Sequence, residues 1–195
     1  QNALDAPDPL DRAEALRQLG GGVERATRVV AQLLTLARLD PNVAQLAMAQ
    51  LDLLSYLRNE LAELTPLALA RNQELTLEAR DGDDYRLIAD APSLGTLLQN
   101  LVSNAVQYTP LGGQIRVLLE ADAHSLTLRV QDSGPGVEPA LREQLFERFF
   151  RLGQGQGAGL GLSIVRRVVE LHRASITLDD SPLGGLQVSV RLPRQ

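Results

Sequence analysis

Cysteine is absent from the 195 residues, which excludes a disulfide framework and any thiolate metal site and fits a reducing compartment. An excess of basic charge is also missing: 19 lysines and arginines stand against 24 aspartates and glutamates, a net charge of -5. A nucleic-acid partner would select a basic face for its phosphates, so the balance argues against that class. No apolar run approaches the roughly 18 residues of a membrane-spanning helix, and direct membrane insertion of this stretch is not expected. The opening Gln1-Asn2-Ala3-Leu4 reads as neither a leader peptide nor a natural initiation. The expectation is a soluble piece of something longer. What is present suffices for a core, since 44% of residues are hydrophobic, enough for one ordinary domain with an appendage.

Two textures divide the chain. Leu16, Leu19, Val23, Ala26, Val30, Leu33 and Ala37 recur at steps of three and four, with Arg17, Glu24, Arg25, Arg28 and Arg38 on the outer face. The pattern fits an amphipathic helix lying on its own domain, or a bundle helix that pairs with a partner chain. Gly20-Gly21-Gly22 inside it should cost roughly 2–3 kcal/mol relative to alanines, so outside contacts must offset this or the helix bends. Asp40-Pro41-Asn42 is a stop signal, and the domain boundary is expected there, at 1–41 and 42–195. Beyond residue 50 the spacing predicts helices over 53–70, from Pro92 to Tyr108 and over 162–172. Strands are predicted at 74–79, 85–89, 115–119, 126–130, 176–178 and 186–192. This mixture reads as an α+β layered sandwich, a mostly antiparallel sheet covered on one side by helices and preceded by one long helix.

Three constellations could carry chemistry. On the predicted helix 92–108, Asn100, Asn104, Gln107 and Tyr108 form a polar stripe beside the core stripe of Leu94, Leu97, Leu98, Leu101 and Ala105. Two asparagine carbonyls on one face are hard neutral ligands suited to magnesium that keeps waters and phosphates, although an exposed polar face has the same pattern. Asp132 ends a strand and shares parity with Leu126, Leu128 and Val130, so its carboxylate should point inward and need a donor. An adenine amino group would serve, with Gly134 and Gly136 letting a flat base approach; a plain Asp-Ser-Gly turn is the alternative. Finally, Gly153, Gly155, Gly157, Gly159 and Gly161 precede a helix, as in a phosphate cradle with a mobile lid, or as in a flexible linker.

In this order the pieces resemble the sensor histidine kinases. Asn100 to Pro110 looks like their asparagine box, Asp132 to Gly136 their first glycine box, Leu145 to Arg151 their phenylalanine box, and Gly157 to Val165 their second glycine box. Gly184-Gly185 falls where a last glycine motif is expected. The resemblance covers about residues 50–193, and residues 10–40 resemble the second helix of the dimerisation and phosphoacceptor hairpin. It implies the Bergerat ATP-binding fold shared with type II topoisomerases, mismatch-repair ATPases and heat-shock chaperones. It also implies transfer of the ATP γ-phosphate to a histidine, and thence to an aspartate of a response regulator of the winged-helix type. By motif match Asn100 and Asn104 would hold magnesium and phosphates, Asp132 the adenine amine, Tyr108 the nucleotide edge, and Gly159 and Gly161 the phosphates, with Gly157 and Leu160 as further ATP contacts. Gln107, Gly134 and Gly136 join them as ATP contacts, and Arg148 as a phosphate or hairpin contact. A homodimer through the first helix is implied, as is a place in the cytoplasmic part of a bacterial inner-membrane sensor.

Two departures qualify the match. Gln107 stands where many relatives carry lysine or arginine, and an amide brings no charge to a phosphate. Of the two histidines, His124 and His172, neither lies in an acceptor-like setting; both read as surface or structural, and the acceptor is expected upstream of Gln1. ATP-hydrolysing machines of the same fold carry a glutamate at the position of Asn100, which as asparagine cannot activate water. A binding module that has lost transfer remains an alternative, whereas a purely structural dimerisation module does not explain the glycine boxes.

Overall fold

The computed structural model describes residues 9–40, 45–152 and 158–194. Helix α1 (Pro9–Arg38) runs unbroken through Gly20-Gly21-Gly22. Its final turn is anchored: Leu36 and Leu39 are buried in the main core, and Arg167 Nε donates to the Leu39 carbonyl at 3.0 Å. Of the heptad stripe, Leu16, Val23, Val30 and Leu33 are exposed.

A short strand that alternation did not reveal, β1 (Ala49–Asp52), leads into α2 (Leu53–Leu69). Asp52 caps this helix, its Oδ1 accepting from Leu54 N at 3.1 Å, which satisfies one of the orphan donors of the first turn. Leu53, Leu57, Leu61, Leu64 and Ala68 form its buried stripe. Then follow β2 (Glu74–Ala79) and β3 (Arg86–Ala89), the latter antiparallel to β1 with Ala49 opposite Ala89. Asp90 caps α3 (Ala91–Tyr108) through Ser93 N at 3.0 Å, with Pro92 in the first turn.

The main sheet is completed by β4 (Gln114–Ala121), β5 (Ser125–Asp132), β6 (Ser175–Asp180) and β7 (Leu186–Pro193), with α4 (Gly161–Leu171) before β6. The order is β2-β4-β5-β7-β6, antiparallel throughout except where β2 joins β4 in parallel. Ile115, Val117 and Leu119, Leu126, Leu128 and Val130, and Val188, Val190 and Leu192 are all buried, the period of two placing each set on one face. Helices α2, α3 and α4 cover that face, giving the layered α+β architecture expected. No helix among the described residues is long and apolar enough to cross a membrane.

His172 ties the end of α4 to the start of α3. It is buried at the end of α4, its Nε2 accepting from Asp90 N at 3.2 Å and its Nδ1 lying 2.9 Å from the Val168 carbonyl. A proton on Nδ1 satisfies both contacts. His172→Leu strands the Asp90 amide and should cost about 1–3 kcal/mol of stability. Denaturant titration checks this; an unchanged midpoint would mean that the contact contributes nothing.

Candidate nucleotide site

Beside α3 lies a cleft of about 840 Å³. Asn100, Asn104, Gln107 and Tyr108 of α3 line it, as do Asp132 at the end of β5, Gly136 beyond it, Gly159 and Leu160 before α4, and Gly161, its first residue. Ala31, Gln32 and Thr35 of α1 also reach its wall. Gly134 stands behind Asp132, off the wall. Arg148 is exposed and outside it, whereas Arg151 lines it. Gly157 and the rest of the glycine run 153–157 lie outside the described residues.

At one end two amides converge on a helix N-terminus. Asn100 Nδ2 donates to the Thr96 carbonyl at 2.8 Å, so the Asn100 side-chain oxygen is left as an acceptor. A methyl added at Gly161 would lie 3.3 Å from that oxygen and 3.2 Å from both polar atoms of Asn104. Leu160 opens α4 without a side-chain cap, so the first N–H groups of this 11-residue helix have no side-chain acceptor. Bare donors and a positive dipole end suit phosphate oxygens. The described residues contain no group of three histidines, cysteines or carboxylates that could hold a metal. A cation here would rest on neutral amide oxygens and phosphates, a donor set that fits magnesium.

At the other end, Asp132 is buried, with 8% of its surface exposed. Its Oδ1 accepts from Gly134 N at 2.8 Å and from Leu186 N at 3.1 Å. Burial pushes its carboxyl above the usual range, and the two backbone bonds oppose that rise. The need for an outside donor is therefore halved: the chain's own amides serve Oδ1, and Oδ2 takes no hydrogen bond among the described residues. Between the two ends, Gln107 Nε2 is buried with no partner, a donor facing a missing acceptor. Tyr108, 41% exposed, stands at the rim.

Two glycines are fixed by contact. A Cβ at Gly185 would sit 2.0 Å from Asp132 Oδ1 and 2.5 Å from Gly134 N. Gly159, at φ 68°, accepts from Phe149 N at 2.8 Å, and a Cβ there would meet the Phe149 carbonyl carbon at 2.7 Å. Sequence reasoning did not assign Gly185 and Leu186 to the site, although Gly184-Gly185 falls where a last glycine motif is expected. It also passed over Gln32, Arg71 and Arg151, of which only Arg151 lies within a motif.

Residues 89–195 match the family described as histidine kinase-, DNA gyrase B-, and HSP90-like ATPase. The chain is 38% identical over 198 residues to the sensor protein kinase PmrB of Pseudomonas aeruginosa, an alignment covering all of this chain and 41% of that protein. The chain thus spans about two fifths of that relative. Among solved structures, the catalytic domain of the histidine kinase ThkA superposes with a TM-score of 0.69 at 27% identity, covering 76% of this chain and 99% of that one. Full-length ShkA in complex with AMPPNP superposes with a TM-score of 0.79 at 26% identity, covering 96% of this chain and 39% of that one. The chain belongs to this ATPase family and carries the catalytic ATP-binding domain of the two-component sensor histidine kinases.

Proposed function

We propose that the cleft binds ATP with magnesium and delivers the γ-phosphate to a histidine outside these 195 residues, from which it passes to an aspartate of a response regulator. The observation that carries this reading is the convergence of Asn100 and Asn104 on the uncapped start of α4, with a free carboxylate oxygen of Asp132 at the opposite end of the same cleft. Asn100 and Asn104 would hold the magnesium, which when bound supplies charge neutralisation at the phosphates. The amides that open α4 donate to the phosphate oxygens, Gln107 Nε2 donates to the nucleotide, and Asp132 Oδ2 accepts from the adenine amine. Tyr108 shields the nucleotide's edge. With an asparagine at position 100, no carboxylate there is available to activate water, which favours transfer to another side chain over hydrolysis.

In the whole protein, residues 1–41 would belong to the dimerisation hairpin and 42–195 to the catalytic domain. The exposed stripe of α1, Leu16, Val23, Val30 and Leu33, supports a homodimer formed through that helix. The regulator is proposed to be of the winged-helix type, and the setting the cytoplasmic side of a bacterial inner-membrane sensor.

Incubation with γ-labelled ATP tests the reading. The 195-residue chain should bind ATP yet take up no label, because both ring nitrogens of His172 are engaged inside the fold and positioning supplies most of the catalysis in phosphoryl transfer. A longer form that includes the acceptor helix should gain acid-labile, alkali-stable phosphate. Label on the 195-residue chain, or a longer form that binds ATP and stays unlabelled, would overturn the proposal.

A further inference from the structure

The last turns of α1 form part of the cleft. Val29, Leu36 and Leu39 pack on the core, and at 3.6 residues per turn Gln32 falls on the same face, between Leu36 and Leu39. Ala31, Gln32 and Thr35 line the cleft. Thr35 Oγ1 is spent on the Ala31 carbonyl at 3.0 Å, so of these three Gln32 alone brings an uncommitted polar side chain. Its Oε1 is buried and accepts no hydrogen bond. Gln107 Nε2, a buried donor on the same cleft, has no partner either, so the two amides do not meet.

The anchor of α1 fixes which end of the cleft this is. Arg167 Nε holds the Leu39 carbonyl at 3.0 Å. Of α4, the cleft takes in Gly161, Leu162 and Ile164, all ahead of Arg167. From Leu39, α1 therefore runs back along α4 towards its start. The rise from Leu39 to Gln32 is about 10 Å, and that from Arg167 to Gly161 about 9 Å. Gln32 is thus level with Gly161, whose Cβ position lies 3.2 Å from both polar atoms of Asn104 and 3.3 Å from Asn100 Oδ1. It stands at the asparagine end of the cleft, away from Asp132.

Packing does not account for a glutamine there. Between Leu36 and Leu39 an apolar side chain would extend the contact with the core, whereas a buried acceptor without a donor costs free energy. A nucleotide's ionised phosphates offer only acceptors and cannot serve this oxygen. Magnesium that keeps several of its waters brings O–H donors to the phosphates.

We propose that Gln32 is a magnesium-nucleotide residue contributed by α1, its Oε1 accepting from a water of the hydrated magnesium. The inference rests on the nucleotide reading above and extends it: the site includes the end of α1, so magnesium-nucleotide binding and docking of that helix strengthen each other.

Calorimetry with ATP, with and without magnesium, and with adenosine tests this on wild type, Asn104→Ala and Gln32→Leu. Gln32→Leu should lose about three- to tenfold in magnesium-ATP affinity. It should hold metal-free ATP and adenosine within about twofold and melt no lower than wild type. Hydrogen exchange gives a second reading: in wild type, amides of residues 29–39 should exchange more slowly with magnesium-ATP than with metal-free ATP or adenosine, and Gln32→Leu should lose that difference. Full magnesium-ATP affinity in Gln32→Leu, or equal losses for all three ligands, would overturn the proposal. So would exchange in wild type that magnesium leaves unchanged. If Asn104→Ala loses the magnesium-dependent part while Gln32→Leu keeps it, this role falls and the nucleotide reading stands. Wild type that gains no ATP affinity from magnesium would overturn the metal end of that reading and this role together.

Discussion

Asp132→Asn should weaken adenosine and ATP by the same factor, about ten- to a hundredfold, while the protein stays folded. The equality follows from position: Asp132 is at the end of the cleft away from the asparagine pair, and Oδ2 is its uncommitted atom. Asparagine keeps an oxygen for Gly134 N and Leu186 N but turns the second acceptor into an NH₂ group, which opposes an amino donor. Stability should move the other way. Burial raises the Asp132 carboxyl above its ordinary value of 3.8, so the folded state binds that proton more tightly than the unfolded chain does. Ionisation therefore costs the fold, negligibly below the ordinary carboxylate range and in full once the pH has risen past the folded value. Asparagine removes that cost, so the variant's melting temperature relative to wild type should rise from acidic to neutral pH. Wild-type affinity for adenosine in a folded variant would refute the assignment of the base end. A relative melting temperature that falls with pH would refute the account of burial.

The same residue shows what was legible in the sequence. The alternation Leu126, Leu128, Val130, Asp132 put the carboxylate on the buried face of β5, because period two fixes which side a residue faces. Its partner Leu186 N arrives from β7, 54 positions later, and periodicity carries no information about which strands become neighbours. The parallel pairing of β2 with β4 was invisible for the same reason. Strand β1 escaped notice because its four residues, with Leu51 alone among them half-buried, show too little alternation.

Helix α1 gives the complementary lesson. Its heptad pattern predicted a contact stripe at Leu16, Val23, Val30 and Leu33, yet the buried residues are Leu36 and Leu39, against the core beside α4. The period marks which residues share a face; burial also needs a surface opposite them, and among the described residues of this region Val29, Leu36 and Leu39 find one in the core.

Asn104→Ala should abolish the magnesium-dependent part of ATP affinity, a loss of about tenfold or more with the metal present, and leave adenosine nearly unchanged. Asn104 sits one helical turn beyond Asn100 on the same face of α3, both amides bordering the point where a Gly161 Cβ would stand. Removing one amide takes away a neutral oxygen from the metal end while leaving Asp132 and its surroundings untouched. A second substitution approaches the same space from the opposite wall. Gly161→Ala adds a methyl 3.2 Å from Asn104 and 3.3 Å from Asn100, tight contacts that the ends of two side chains can relieve. Alanine also favours a helix over glycine by up to about 1 kcal/mol, so this variant should melt no lower than wild type. It nevertheless crowds the meeting point of the two asparagines and the helix terminus, so its affinity for magnesium-ATP should fall while adenosine holds. Calorimetry with and without magnesium reads both variants. Equal weakening of adenosine and ATP in Asn104→Ala would show that the asparagine supports the fold instead. Undiminished magnesium-ATP affinity in Gly161→Ala would move the phosphates away from the start of α4.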